Sequence, residues 1–190
     1  SGTKPTASRT EKGDNMEQLK MRWTNDHTPA PELNIPDGCE IKRFTELDGA
    51  LDAWLDIVQY GLSDGRKEAD FYGSLMLDWP DYSEDKNFFI VSDGEPAATL
   101  TVVCHPENRK GYIHMVACKE EFRGRGFGTL LNTLALKVLK DEGMETAYLT
   151  TDDWRIPAIK SYLRAGFVPV ITDGDMDARW KAVFEKISSK

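Results

Sequence analysis

Cysteine is scarce. Cys39, Cys104 and Cys118 are the only three in 190 residues. They are odd in number, far apart and form no Cys-x-x-Cys pair, which argues against a disulfide framework and against a zinc site. A reducing, cytoplasmic setting is therefore the expectation. No apolar run approaches the ~20 residues that a membrane-spanning helix needs. The N-terminus is polar throughout and lacks the apolar core of a secretion signal, so no membrane partner is expected. Basic charge is also short. Lys plus Arg total 24 against 32 Asp plus Glu, a net charge of -8. A general nucleic-acid binder needs a basic face, and none is expected here. The acidic balance suits an ordinary soluble domain and is weakly compatible with a cationic or amine-bearing partner.

The 40% hydrophobic and 29% charged content fits a globular chain long enough to bury a core. Residues 1–36 read as a disordered or tag-derived tail and linker, polar at first and then rich in proline, with Met16 as a candidate natural start. Residues 37–190 read as one domain. Within it, Cys39-Glu40-Ile41-Lys42-Arg43-Phe44 alternates like a strand. Leu47, Leu51, Trp54, Leu55, Val58 and Leu62 follow at helical spacing, and a second helix is expected from about Lys67 to Leu77. Asn87–Val91 and Ala97–Cys104 around a Ser92–Glu95 turn read as a hairpin. Tyr112–Cys118 is a further strand. The stretch Thr129–Leu139 has helical spacing, and Ala147–Thr151 is placed to return as a parallel strand. Asp153 is a candidate helix N-cap before Ala158–Leu163. Phe167–Ile171 reads as a last strand and Asp177–Ile187 as a helix, with a strand as the alternative.

Between strand and helix lies Arg123-Gly124-Arg125-Gly126-Phe127-Gly128. Strand, glycine loop and helix together bring backbone N–H groups around a phosphate. A nucleoside-triphosphate loop would need Lys-Ser/Thr after its glycines, and Phe127-Gly128-Thr129 has none. A dinucleotide turn would need a third glycine where Thr129 stands, directly after the first strand.

Arg123-x-x-Gly126-x-Gly128 resembles the acyl-CoA signature of the GNAT-family N-acetyltransferases. Ala158-Ile159-Lys160-Ser161-Tyr162-Leu163-Arg164-Ala165-Gly166-Phe167 is similar to the family's second motif, and the element order matches. The resemblance covers roughly Cys39 to Ile171. It implies an α/β (α+β) acyltransferase fold, a mixed and mostly antiparallel central sheet flanked by helices. It also implies acetyl-CoA as acyl donor, an amine acceptor and no metal, and it leaves a homodimer open. Under the resemblance, Gly124, Arg125, Gly126, Phe127, Gly128 and Thr129 hold the pyrophosphate with Arg123. The strand edge Val116, Ala117 and Cys118 pairs with the pantetheine arm, and Cys118 is a small hydrophobe rather than a nucleophile. Tyr162 is the general acid. Arg155 stands where many relatives carry a cofactor-holding asparagine.

The general base is less well marked. His114 titrates near neutrality, and strand alternation puts it on one face with Tyr112, Val116 and Cys118. Asp152 and Asp153 are lesser candidates, and Thr150 occupies the position of a glutamate used by some relatives. The acceptor region is expected among Tyr60, Asp64, Phe71, Tyr72, Trp79 and Tyr82, several of which could equally be core. The expected function is acetyl transfer from acetyl-CoA to a primary amine. The alternatives are a non-catalytic acyl-CoA sensor or scaffold, or an acyltransferase using another acyl group or a hydroxyl acceptor.

Overall fold

A computed structural model describes residues 16–189, so the expectation for the first fifteen residues lies outside the described residues. The described chain forms a single seven-stranded sheet. Its strands are β1 (Leu19–Thr24), β2 (Cys39–Arg43), β3 (Asn87–Ser92), β4 (Glu95–His105), β5 (Lys110–Cys118), β6 (Thr146–Thr151) and β7 (Val168–Pro169). The helices are α1 (Ala50–Val58), α2 (Ala69–Tyr72), α3 (Phe127–Asp141), α4 (Ile156–Arg164) and α5 (Gly174–Ser188). The order across the sheet is β2-β3-β4-β5-β6-β1-β7, and every pairing is antiparallel except β5 with β6. This is the mixed, mostly antiparallel α/β fold expected from the sequence.

One reading of the sequence is corrected here. Residues 19–24 are not tail or linker. They form β1, which lies between β6 and β7 and pairs along its whole length with β6. The physical reason is a plain period-2 pattern: Leu19, Met21 and Trp23 are buried, while Lys20, Arg22 and Thr24 face outward. The segment after it is also held. Asn25 donates to the Met144 carbonyl at 3.0 Å, and the Lys140 ammonium reaches Asp26 and the Thr28 carbonyl.

Two apolar clusters sandwich the sheet. The larger lies under α3, α4 and α5 and includes Leu19, Met21, Leu100, Leu131, Leu149, Ile159 and Trp180. The smaller packs α1 and α2 on the opposite face, through Trp54, Ile57, Tyr72, Met76 and Phe89. Gly111 lets α3 lie close on β5, because a Cβ there would collide with Leu139. The stretch expected as a helix over Lys67–Leu77 is α2 continued by a wider turn, Gly73–Leu77.

The chain ends as a helix and not as a strand. α5 starts at Gly174, where the Asp173 side chain accepts from the Met176 N–H at 2.9 Å. Asp153 does not cap α4, whose N-cap is Arg155. It pairs instead with Arg179 of α5, at 2.6 and 3.1 Å, and this partner holds its carboxyl below the usual range.

Met21→Ala is expected to destabilise the fold by about 2–4 kcal/mol, as loss of a buried methionine does. Arg22→Ala, on the open face, should stay within about 0.5 kcal/mol. Urea unfolding of both variants checks whether β1 belongs to the cooperative unit.

Candidate active site

The site begins where β5 and β6 part. Their parallel register runs only through Lys110↔Thr146, Gly111↔Ala147 and Tyr112↔Tyr148. Past Tyr112 the two strands pair no further, and the β5 backbone from there to Cys118 offers a free edge on that side. A bulge accompanies the split. Thr101 faces His114 and Thr99 faces Ala117, so β5 spends one more residue than β4 between those pairs. Met115 takes a left-handed φ of 54° there.

The bulge corrects the face expected for His114. The extra residue reverses the alternation beyond it, so Val116 and Cys118 pack toward the α3–α4 core. Tyr112 and His114 lie on the other side, both stacked with Trp79 at ring separations of 4.9 and 4.7 Å.

Opposite the free edge runs the glycine loop. Gly124 and Gly126 have φ of 76° and 82°, which disfavour any side chain, and Gly126 is the N-cap of α3. A Cβ at either would point into open space. Gly128 is already helical, and its Cβ would meet Ser161 Oγ at an ordinary 3.8 Å. The backbone amides of the first turn of α3 are therefore bare, with the positive end of the helix behind them.

These walls enclose a cleft of about 500 Å³. Of the residues expected to hold the cofactor, Val116, Ala117, Cys118, Arg123, Gly124, Gly126, Phe127, Gly128 and Arg155 line it, together with Tyr162. Arg125 and Thr129 do not. The Arg125 guanidinium sits over the Phe122 ring at 4.9 Å. Burial raises the Cys118 thiol above its ordinary pKa, which fits a small hydrophobe and not a thiolate.

Tyr162 reaches the cleft from α4 and is 7% exposed. It rests edge-on against Phe167, with ring centroids 6.2 Å apart. Burial raises its pKa, against the opposing charge of Arg155, so it stays protonated at neutral pH. His114 does not line the cleft. Its Nε2 must donate to the Leu75 carbonyl at 2.9 Å, because a carbonyl can only accept. Nδ1 is then the acceptor, and the Tyr112 hydroxyl donates to it at 3.3 Å. Burial lowers the His114 pKa, so the ring is neutral.

Sequence reading missed the strap that crosses the cleft after α1. Arg155 Nη2 donates to the Gly61 carbonyl at 2.8 Å and Arg123 Nη2 to the Tyr60 carbonyl at 3.5 Å. It also missed Trp154, 66% exposed at the cleft mouth, although a tryptophan beside Arg155 in a polar loop was a usable signal. Of the expected acceptor residues, Tyr72 belongs to the core. Its hydroxyl meets that of Tyr82 at 2.6 Å, and its ring packs on Phe44 and Trp54. Trp79 and Tyr60 stand near the site.

Residues 52–167 match the family model described as the Acetyltransferase (GNAT) family. The chain belongs to the GNAT acetyltransferase family. Mycothiol acetyltransferase of Pseudarthrobacter chlorophenolicus is 28% identical over 180 residues, covering 89% of this chain and 53% of that protein. The same-named protein of Streptomyces coelicolor is 29% identical over 166 residues, covering 83% and 51%. The chain thus spans about half the length of these curated relatives. A solved GCN5-related N-acetyltransferase from Sphaerobacter thermophilus superposes with a TM-score of 0.66 at 22% identity, covering 80% of this chain and 48% of that one. It supports the fold.

Two measurements probe this geometry. Gly126→Ala should cost about 1–2 kcal/mol in stability, because L-residues pay for a left-handed backbone. Gly128→Ala should be neutral or slightly stabilising, as alanine is the better helix former; thermal unfolding separates the two. The neutral, buried His114 has a folded pKa below its ordinary 6.5. The unfolded chain therefore binds the extra proton first, and stability falls as pH drops below about 6.5 toward the folded value, by at most about 1.4 kcal/mol per pH unit. His114→Gln should flatten that loss relative to the parent in urea titrations near about pH 7.5 and about pH 5.5.

Proposed function

We propose that this chain transfers an acetyl group from acetyl-CoA to a primary amine, without a metal, by direct attack in a ternary complex. One observation carries the reading. The free β5 edge, the bare N-terminus of α3 and the Tyr162 hydroxyl converge on one cleft. Nothing simpler than a phosphate-bearing, extended ligand with a reactive end needs all three.

Acetyl-CoA supplies an activated thioester carbonyl. The loop from Gly124 to Gly128 takes the pyrophosphate on its N–H groups, with the helix dipole adding positive potential. Arg123 and Arg155 bring charge to the same wall. The Val116–Cys118 edge pairs with the pantetheine amides as an added strand would. An N–H of that edge steadies the negative charge that grows on the carbonyl oxygen.

The amine nitrogen bonds to the carbonyl carbon, and the carbon–sulfur bond breaks. Tyr162 gives its proton to the departing sulfur, a modest demand because a thiol of pKa ~8.5 leaves readily. His114 takes the amine's proton on Nδ1 through the Tyr112 hydroxyl that bridges to it. Protonated His114 and ionised Tyr162 then reset through solvent, so the net products are the amide and free coenzyme A. A cytoplasmic setting belongs to this reading, in keeping with the three free cysteines. So does the absence of a nucleic-acid partner. Among the described residues no helix is long and apolar enough to cross a membrane, and no group of three metal-ligating side chains is present.

Thiol release from acetyl-CoA with a panel of amines, and acetyl-CoA titration by calorimetry, test the proposal. Tyr162→Phe should lower kcat by about 10²-fold or more with little change in acetyl-CoA affinity. No binding of acetyl-CoA by the parent protein would sink the reading. Unchanged turnover in Tyr162→Phe would remove the tyrosine from its role.

A further inference from the structure

Among the described residues, one part of the sheet has no helix on it. α1 and α2 cover the β2–β5 half of that face, and β6 and β1 continue beyond them uncovered. The residues that point there are Thr146, Tyr148 and Thr150 from β6 and Lys20, Arg22 and Thr24 from β1. Lys20 stands opposite Thr150, and Arg22 opposite Tyr148. The three β1 residues and Thr150 are exposed.

This shelf is continuous with the acyl-transfer centre. Trp79 stacks on Tyr112, and Tyr112 stacks on Tyr148 with centroids 4.7 Å apart and planes at 22°. The Lys20 ammonium then lies over the Tyr148 ring at 4.7 Å. Tyr112 and Tyr148 are the last pair before β5 and β6 separate. Neighbouring strands are ~4.8 Å apart, so the Arg22 backbone, level with the Tyr148–Tyr112 pair, lies two strands, ~10 Å, from Tyr112, where the slot opens. A small molecule spans that distance.

The charge is what makes the shelf specific. The chain carries a net charge of -8, yet two cations stand side by side here. Neither Lys20 nor Arg22 forms an ion pair among the described residues. Asp152, just beyond β6, is engaged by Gln18 at 3.1 Å. Nor does the fold need them, since the buried faces of β1 and β6 are apolar. The rings offer flat surface to a carbon chain or sugar, and the two cations offer donors to an anion.

We infer that the acceptor is an amine that also carries an anionic group, a carboxylate or a phosphate, bound over Tyr148 with the anion on Lys20 and Arg22 and the nitrogen toward Tyr112. This rests on the acetyl-transfer reading above. It narrows the acceptor from any primary amine to one of opposite charge at its far end.

The test compares length-matched acceptors on the full chain. 5-Aminovalerate and O-phosphoethanolamine are set against pentylamine and cadaverine, with thiol release from acetyl-CoA as the readout. The anionic amines should show kcat/KM at least tenfold higher. Lys20→Ala and Arg22→Ala should each raise the KM for the anionic acceptor about fivefold, the yield expected of an exposed charge-assisted contact. Both should leave the KM for acetyl-CoA within about twofold and the kcat with neutral amines unchanged. Arg22→Lys should restore much of the loss. Equal use of neutral and anionic amines, or variants that leave the acceptor KM unmoved, would overturn the inference. So would acetyl-CoA binding with no amine in the panel acetylated, or a double variant that turns a sedimenting dimer into a monomer, since a second copy would then cover the face. Failure of the parent to bind acetyl-CoA would instead take down the acetyl-transfer reading on which all this stands.

Discussion

The whole site depends on two parallel strands that stay together for three residue pairs and then part. A parallel ladder broken this early leaves unpaired backbone on both sides of the gap, which in most sheets would be a liability. Here the β5 bulge turns the strand at the same point, and the α3 N-terminus and α4 close over the opening. The gap therefore becomes a slot with a polar edge along one wall and amide donors at its end. Every residue placed in a chemical role lies within or beside that slot.

The bulge also separates two jobs on one strand. Before it, Tyr112 and His114 face the α2 side and form a stacked aromatic set with Trp79. After it, Val116 and Cys118 face the α3–α4 core and present the edge of the slot. A regular strand would have put all four on one face. One extra residue, with Met115 in a left-handed backbone, puts Tyr112 and His114 on one face of the sheet and Val116 and Cys118 on the other.

Part of this was legible in the sequence. The glycine loop stood out from its own residues as a phosphate cradle before a helix, and the resemblance of Ala158–Phe167 to the family's second motif pointed to the other wall of the cleft. The bulge was not legible, since no residue in His114–Cys118 advertises it. That cost the correct facing of His114. β1 was overlooked for a different reason. Its alternation was visible in Leu-Lys-Met-Arg-Trp-Thr, but it lay among polar and proline-rich neighbours, and its partner β6 is far away in sequence. Asp153 shows the same limit. A local rule offered it as a helix cap, and a distant arginine on α5 claimed it.

The placement of β1 has a consequence for how the chain reaches this state. Leu19 pairs with Thr151, and Met21 pairs onward with Pro169. β1 thus has no hydrogen-bonding partner until β6 and β7, far later in the sequence, have been made. Until then its Leu19, Met21 and Trp23 stripe stays open to solvent. Contacts so remote in sequence raise the contact order and slow the search for the native topology. Closure of the sheet is therefore a late event, and the slot between β5 and β6 cannot be finished before it.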